Sequence, residues 1–333
     1  MITSSDRPVT TVTHNATSDA AGQGFQKVAI AVVHGIGGGD AAYENRQVSQ
    51  PEFVRTLQKS LIDRFSKLGV STADYHRRFV MEPVYWSPIL EGRQQSLLTR
   101  MQQQNPMNWD MLRGFMVSFI SDAIAYQISP YDTDSRGQNS YQAIHRFCAQ
   151  TFSRLATTAG PRAPLCLIGH SLGSIVSYNY LLDLQAKFSG NTNTESFLRP
   201  STVHKIGETP IERGETLSLY YTLGSPLALW TLRDRDGGQP IQFPVAQLTS
   251  HYPNLASAAE WVNIYDADDV IGYPLKSVNA DFARAVKADL AVNAGSVLEN
   301  WTPLSHNGYW NNPETVDRIA RSLLKVSQAV NGR

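Results

Sequence analysis

The sequence predicts an α/β fold with a mostly parallel central sheet and helices on both faces. Short apolar runs without alternation, such as Val28–Val33, indicate strands that are buried on both faces. Longer segments with an apolar stripe at helical spacing separate these runs. Strands that alternate with helices are typical of a parallel sheet covered on both sides.

The composition fits a globular protein of this class. Of 333 residues, 42% are hydrophobic and 17% are charged, and 29 Lys and Arg balance 29 Asp and Glu. A chain of this length buries a large core, and its neutral balance excludes the broad basic surface of a nucleic-acid binder. Two cysteines, Cys148 and Cys166, are too few for a disulfide framework or a four-ligand zinc site, which favours a cytoplasmic protein.

Residues 1–26 are expected to form a flexible leader, and residues 27–333 a single domain. The leader is rich in Ser, Thr, Gly and Asp, and it lacks the apolar region of a secretory signal. The most apolar helical stretch, 111–128, contains Arg113 and Asp122 and is too short and polar to cross a bilayer. We therefore expect a soluble protein without a transmembrane segment.

The predicted elements begin with the strand Val28–Val33. A helix over 51–68 follows, and Pro51 suits its first turn. The next strand, 79–86, contains Pro83, which favours a sheet edge or a strand end because proline cannot donate to a ladder. The later elements are a helix over 141–159, a strand over 165–168, a helix after residue 171, strands over 218–223, 261–265 and 290–297, and a helix over 313–330.

The segment 87–140 interrupts this alternation. Two helical stretches, 94–103 and 109–128, precede a polar loop over 131–139. One interpretation is a helical cap that covers a functional site, and the other is ordinary packing against the sheet. Both interpretations stay open from the sequence alone.

The strongest functional motif is Gly-x-Ser-x-Gly at residues 169–173, between a predicted strand and a predicted helix. A serine on such a sharp strand-to-helix turn projects its hydroxyl above the sheet. Glycines on both sides let the helix pass close to neighbouring strands. The helix also points its N-terminal N–H groups to the place where negative charge develops. The motif therefore predicts Ser171 as a nucleophile.

A second segment, His-Gly-Ile-Gly-Gly-Gly at residues 34–39, directly follows the first strand. Glycines there let the backbone approach a substrate and turn an N–H toward its carbonyl oxygen. A dinucleotide fingerprint would require a third glycine where the chain has Asp40, and a phosphate-binding loop would require Gly-Lys-Ser/Thr. The segment predicts an oxyanion loop, and the alternative is a plain structural turn.

Together the two motifs resemble the α/β-hydrolase superfamily, particularly its lipase-like and esterase-like members. The resemblance covers essentially residue 28 to the C-terminus, and it is specific at the serine turn but vague over 87–140. It implies the chain order serine, acid, histidine. It also implies an oxyanion hole formed by the N–H of Leu172 and by that of Ile36 or Gly37.

The implied order predicts the base near the C-terminus. His306 is the histidine that follows the last predicted strand, and it lies in a polar, glycine-containing segment typical of a loop. His251 lies earlier, before the strand over 261–265. We predict His306 as the base, the alternative being a surface histidine, and we expect His170 to pack rather than react.

The acid is predicted in the loop that follows the strand over 261–265. Asp266, Asp268 and Asp269 crowd this loop, and they cannot all be buried and ionised without a large mutual cost. In the superfamily that the chain resembles, an Asp in this place precedes an apolar pair, which favours Asp269. Asp266 and Asp268 stay open as alternatives.

These residues predict a cofactor-independent serine hydrolase that cleaves carboxylic esters, with lipids or acyl esters as substrates. His306 takes the proton of Ser171, Asp269 orients the imidazole, and water hydrolyses the acyl-Ser171 intermediate. No motif in the sequence suggests a bound zinc ion. The alternatives are a thioesterase, acyltransferase or peptidase with the same residues, and a non-catalytic binding protein on the same fold.

Overall fold

Six parallel strands form one sheet in the computed structural model, which describes residues 25–36, 39–104, 111–127, 139–188, 206–234, 237–295 and 305–332. The strands are β1 (Val28–Val33), β2 (Phe79–Val84), β3 (Leu165–His170), β4 (Leu217–Leu223), β5 (Glu260–Asp266) and β6 (Ala288–Val292). Their order in the sheet is β2-β1-β3-β4-β5-β6, and every neighbouring pair is parallel. The predicted α/β class is confirmed.

Helices cover both faces of this sheet. They are α1 (Ala41–Glu44), α2 (Glu52–Lys67), α3 (Thr72–Arg78), α4 (Glu91–Gln104), α5 (Met111–Tyr126), α6 (Ser140–Thr158), α7 (Leu172–Phe188), α8 (Leu227–Trp230), α9 (Leu248–His251), α10 (Ala280–Ala285) and α11 (Pro313–Asn331). Helix α2 packs against α11, and α6 packs against α7. Because parallel crossovers are right-handed, these two pairs lie on opposite faces. No helix within the described ranges is long and apolar enough to cross a membrane.

The core lies between the central strands and these helices. Every residue of β1, β3 and β4 is buried, as expected for apolar runs without alternation. Pro83 lies in β2, the strand at one edge of the sheet, where a missing backbone donor is tolerated. Helix α2 begins after Pro51 and turns Leu57, Leu61 and Phe65 inward along one stripe.

Several boundaries differ from the sequence expectations. Residues 1–24 of the predicted leader lie outside the described residues, and so do 131–138 of the predicted polar loop. Gln26 belongs to the fold rather than to a leader, because its N–H donates to Oδ1 of Asn331 at 2.9 Å. The short helices α1, α3, α8, α9 and α10 were not predicted, because four to seven residues carry too little apolar periodicity.

The insertion between β2 and α6 contains α4 and α5. Helix α5 packs against α6 and α7, and α4 packs against α5. The carboxyl end of β2 therefore leads into a helical layer that reaches the helix following β3. Its function as a cap stays a prediction.

The strand order reverses between β1 and β3. The chain leaves β1 toward β2, and it leaves β3 in the opposite direction toward β4. In open parallel sheets such a reversal creates a crevice at the carboxyl ends of the two strands. His34 follows β1 and Ser171 follows β3, so both motifs lie at this crevice.

Candidate active site

Ser171 occupies the turn between β3 and α7 with φ of 54°, a backbone conformation that residues with side chains rarely adopt. Its N–H donates to the carbonyl of Leu223 at 2.9 Å, and its carbonyl accepts from the N–H of Ser174 at 2.9 Å. These bonds hold the strained residue in place. The side chain is fully buried, and its hydroxyl makes no hydrogen bond within the described part of the chain.

Glycine is required on both sides of this turn by close packing. A Cβ atom at Gly173 would lie 2.3 Å from the carbonyl oxygen of His34, and one at Gly169 would lie 2.7 Å from Cα of Ser174. A Cβ at Gly35 would lie 2.5 Å from Cβ of Ser171. The segment after β1 therefore passes directly against the serine side chain and the first turn of α7.

His306 and Asp269 form a buried hydrogen-bonded pair. The imidazole Nδ1–H donates to Oδ2 of Asp269 at 2.8 Å, and the same oxygen accepts from the hydroxyl of Tyr309 at 2.8 Å. The N–H of Ile271 donates to the other oxygen at 2.9 Å. A carboxylate at Nδ1 fixes the neutral imidazole in the tautomer whose Nε2 carries a lone pair.

The partners of Asp269 keep it ionised. Burial would raise the pKa of this carboxyl, but the hydrogen bond and charge of His306, followed by the bonds from Ile271 and Tyr309, outweigh burial and hold the pKa below its usual value. Asp269 is therefore negatively charged at neutral pH. A fixed negative charge at this position stabilises a protonated His306.

The two other carboxylates of this loop have different surroundings. Oδ1 of Asp266 accepts from the N–H of Asp268 at 2.9 Å, and its Oδ2 accepts from the N–H of Ala294 at 2.6 Å. Asp266 thus ties the end of β5 to the segment after β6. Asp268 is exposed. Of the three candidate acids, Asp269 is the one that contacts His306.

His170 connects the serine turn to His306. Its ring centroid lies 4.8 Å from that of His306, and its Nε2–H donates to the backbone oxygen of His306 at 2.6 Å. Burial first, and then the charge of His306, lower the pKa of His170 to about 3, so the ring stays neutral. The expectation that this residue packs understated its contacts, because it also holds the backbone of the histidine segment.

Gly224 brings β4 into the same cluster. It follows Leu223, whose carbonyl oxygen accepts a hydrogen bond from the N–H of Ser171. A Cβ atom at Gly224 would lie 3.2 Å from Cε1 of His306 and 3.0 Å from Oδ2 of Asp269. Ser171, Asp269 and His306 therefore converge at the carboxyl edge of β3, β4 and β5, although 98 and 37 positions separate them along the chain.

His34 fixes the start of the predicted oxyanion loop. Its Nδ1–H donates to the carbonyl of Gly35 at 2.7 Å, and its Nε2 accepts from the N–H of Trp86 at 3.0 Å. Burial lowers the pKa of His34 to about 4, with the bond to Gly35 opposing the shift, so the ring is neutral. Because the C=O and N–H of a trans peptide point in opposite directions, the N–H of Ile36 points away from His34.

The predicted oxyanion donors are described in part. Leu172 is the first residue of α7, where backbone N–H groups lack an acceptor within the helix. Ile36 lines a cavity of about 430 Å³ together with Gly35, His170 and Trp310. Gly37, the alternative to Ile36, lies outside the described residues.

Tyr309 is a site residue that the sequence did not reveal. Its hydroxyl accepts from the N–H of Asp266 at 2.9 Å and donates to Asp269, so it fixes the carboxylate against the end of β5. The available indication was its spacing. Tyr309 lies three residues after His306 in the 3₁₀ turn Ser305–Trp310, and residues at this spacing share one side of such a turn.

No family model, curated protein or solved structure matches this chain. In the described ranges, no group of three or more histidine, cysteine or acidic side chains could hold a metal ion. The site brings a buried serine hydroxyl into the neighbourhood of a buried imidazole–carboxylate pair.

Proposed function

We propose that the protein is a cofactor-independent serine hydrolase of the α/β-hydrolase superfamily that cleaves carboxylic esters. The observation that carries the proposal is the buried Asp269–His306 pair beside a serine with a left-handed backbone. A buried histidine–carboxylate pair or a serine with a strained backbone can each occur in a protein without a catalytic role. Their convergence at the place where the strand order of a parallel sheet reverses is typical of an active site.

The order of the three residues supports the superfamily as well as the chemistry. Ser171 follows β3, Asp269 follows β5, and His306 follows β6. This is the order serine, acid, histidine that the resemblance of the motifs implies. The helical layer of α4 and α5 after β2 then corresponds to the cap.

The proposed reaction begins with attack of Ser171 Oγ on the ester carbonyl carbon while His306 Nε2 takes the hydroxyl proton. Asp269 stabilises the resulting imidazolium. The N–H of Leu172 and that of Ile36 or Gly37 bind the oxyanion of the tetrahedral intermediate. His306 then donates its proton to the leaving alcohol, and a water molecule hydrolyses acyl-Ser171 by the same steps.

A fluorophosphonate probe tests this proposal, because it phosphonylates an activated serine. We expect labelling of the wild type and of Ser250→Ala, which removes an exposed serine on α9, but not of Ser171→Ala. Equal labelling of all three proteins would remove Ser171 as the nucleophile.

A second experiment ranks the types of bond that the protein cleaves. It compares the turnover of an ester, a thioester and an amide that carry the same acyl group. Faster turnover of the thioester would replace the esterase assignment.

A further inference from the structure

A cavity of about 210 Å³ adjoins the oxyanion loop and is not used by the reaction described above. Gly35, which contacts Ser171, and Gly39 form part of its wall, and Trp86 and Ser87 after β2 form another part. The remaining wall comes from the helical layer: Glu91, Gln94, Gln95 and Leu98 of α4, and Ser118 and Asp122 of α5. One wall residue of the cavity, Gly35, therefore lies directly against Ser171.

Asp122 is the unusual residue of this cavity. It is 5% exposed, and it makes no hydrogen bond or ion pair within the described part of the chain. Buried polar groups in folded proteins nearly always have a hydrogen-bond partner. A buried carboxylate that faces a cavity without one has both oxygens available to a ligand.

Two side-chain donors of the cavity wall bond to groups other than Asp122. The side-chain amide of Gln94 donates to Oγ of Ser121 at 2.7 Å, and the hydroxyl of Ser87 donates to Oε2 of Glu91 at 3.2 Å. The carboxylate of Glu91 also lies against Gly39, where a Cβ atom would be 3.0 Å from Oε1. Among the groups of the wall, the cavity thus presents the carboxylates of Asp122 and Glu91 beside the polar side chains of Gln94, Gln95 and Ser118.

The charge of the cavity wall is negative and uncompensated. Burial, followed by the charge of Glu91, raises the pKa of Asp122 to about 7. His34 is the other titratable group of the wall, and it is neutral because its pKa is about 4. No lysine or arginine lines the cavity in the described ranges. Two neighbouring carboxylates that repel each other, Asp122 buried and Glu91 exposed, favour a cation between them.

We propose that this cavity is a specificity subsite that binds a primary ammonium group of the ester substrate through Asp122 and Glu91. An ammonium has three N–H donors, which match the free oxygens of Asp122 and those of Glu91, and charge-assisted bonds of this kind are the stronger ones. Below pH 7, entry of the ammonium displaces the proton of Asp122 to solvent. The inference rests on the proposed ester hydrolysis and names its substrate class as amino esters.

Paired substrates that differ only in the charged group test the subsite. In p-nitrophenyl 6-aminohexanoate and p-nitrophenyl heptanoate, an ammonium is exchanged for a methyl group on the acyl side. In 6-aminohexyl acetate and heptyl acetate, the same exchange is on the alcohol side. We expect kcat/KM to favour the ammonium ester of one pair by about tenfold or more, the contribution of one charge-assisted hydrogen bond.

Variants connect this preference to the cavity. Asp122→Asn keeps the shape of the side chain and is expected to lower the ratio of kcat/KM for ammonium over neutral ester to about one. Glu91→Gln is expected to lower it less. The control Asp281→Asn removes one negative charge from an exposed side chain on α10 and is expected to keep the wild-type ratio.

Two outcomes separate this inference from the proposed function. If Ser171 is labelled and the neutral esters are cleaved, but wild type and Asp122→Asn show the same ratio, the subsite is wrong and the hydrolase stands. If no ester is cleaved and Ser171 is not labelled, the hydrolase is wrong, and calorimetry with n-butylammonium decides the subsite. Heat that n-butanol does not give and that Asp122→Asn abolishes supports an ammonium site, and equal heats overturn it.

Discussion

The protein contains two buried pairs of aspartate and histidine with nearly the same geometry. His306 Nδ1 lies 2.8 Å from Oδ2 of Asp269, and His145 Nδ1 lies 3.0 Å from Oδ2 of Asp183. In the second pair, the hydroxyl of Tyr126 lies 2.8 Å from the other ring nitrogen of His145. That pair joins α5, α6 and α7, whereas the first lies beside Ser171 at the sheet edge. The position in the fold, rather than the pair itself, separates a proposed base from a structural link.

A tyrosine supports the carboxylate in each pair. Tyr309 donates to Asp269 at 2.8 Å, and Tyr141 donates to Asp183 at 2.9 Å. The two carboxylates differ in their second oxygen. Oδ1 of Asp269 accepts from a backbone N–H, but Oδ1 of Asp183 has no hydrogen-bond partner in the described structure. The carboxylate of Asp269 is therefore more completely hydrogen-bonded than that of Asp183, which suits its proposed role as the acid.

The largest expected effect is on kcat, and it distinguishes the Asp269–His306 pair from the Asp183–His145 pair. Asp269→Asn keeps the size of the side chain but removes the charge and favours the wrong imidazole tautomer, so kcat is expected to fall by about 10⁴-fold. Steady-state turnover of a p-nitrophenyl ester measures it, with circular dichroism to verify the fold. Asp266→Asn is the matched control in the same loop. If it lowers kcat as much and Asp269→Asn does not, the acid is Asp266.

The second prediction separates the pairs by stability. His145→Ala removes the imidazole from the buried carboxylate of Asp183 and leaves it only the hydroxyl of Tyr141, so the free energy of unfolding is expected to fall by about 3 kcal/mol. Urea unfolding measures this change, and turnover per folded molecule is expected to stay at the wild-type level. His251→Ala is the control, because its ion pair with Glu215 is partly exposed and contributes little. A loss of turnover in folded His145→Ala would contradict a purely structural link.

The third prediction uses the histidine that packs against His306. The unfolded chain binds a proton at His170 below about pH 6.5, whereas the folded protein keeps this ring neutral down to about pH 3. The contribution of neutral His170 to the free energy of unfolding is therefore fully present above pH 6.5, and it is lost as the pH falls toward 3. His170→Gln keeps an N–H for the carbonyl of His306 and removes this titration.

Unfolding free energies at pH 6, 5 and 4 measure the difference. The wild type is expected to lose about 1.4 kcal/mol per pH unit more than His170→Gln over this interval. Parallel pH profiles of the two proteins would show that His170 is protonated in the folded state, against its burial.

Local patterns in the sequence predicted the parts of the molecule that depend on local physics. Apolar runs predicted β1 and β3, because a strand buried on both faces favours a continuous apolar run. The glycines at 169 and 173 predicted the sharp turn, because their missing side chains let α7 pass close to β3 and to the end of β1. The pairing of His306 with Asp269 was a hypothesis from chain order, and the structure brings the two side chains together.

The sequence did not predict which side chains far apart along the chain contact each other. His145 and Asp183 lie 38 positions apart in two apolar helices, and nothing in either helix indicates that they meet. In the sequence, Asp122 is one polar residue of a helix, and nothing indicates that α4 lies beside it and forms a cavity with it. Strand β6 ends at Val292, and of the residues predicted to continue it, 296 and 297 lie outside the described part of the chain. The end of this edge strand was hard to predict because edge strands lack the continuous apolar pattern of the central ones.

The smallest expected effect compares the two supporting tyrosines. Tyr309→Phe removes one hydrogen bond to Asp269 and the acceptor for the N–H of Asp266, so the pKa of Asp269 rises and its carboxylate is less well fixed against His306. We expect kcat/KM to fall by about tenfold, the value of one hydrogen bond to a charged group. Tyr141→Phe removes the matching bond to Asp183 and is expected to cost about 1 kcal/mol of stability without a change in kcat/KM. If both variants change stability alone, Tyr309 holds the fold and not the orientation of the proposed acid.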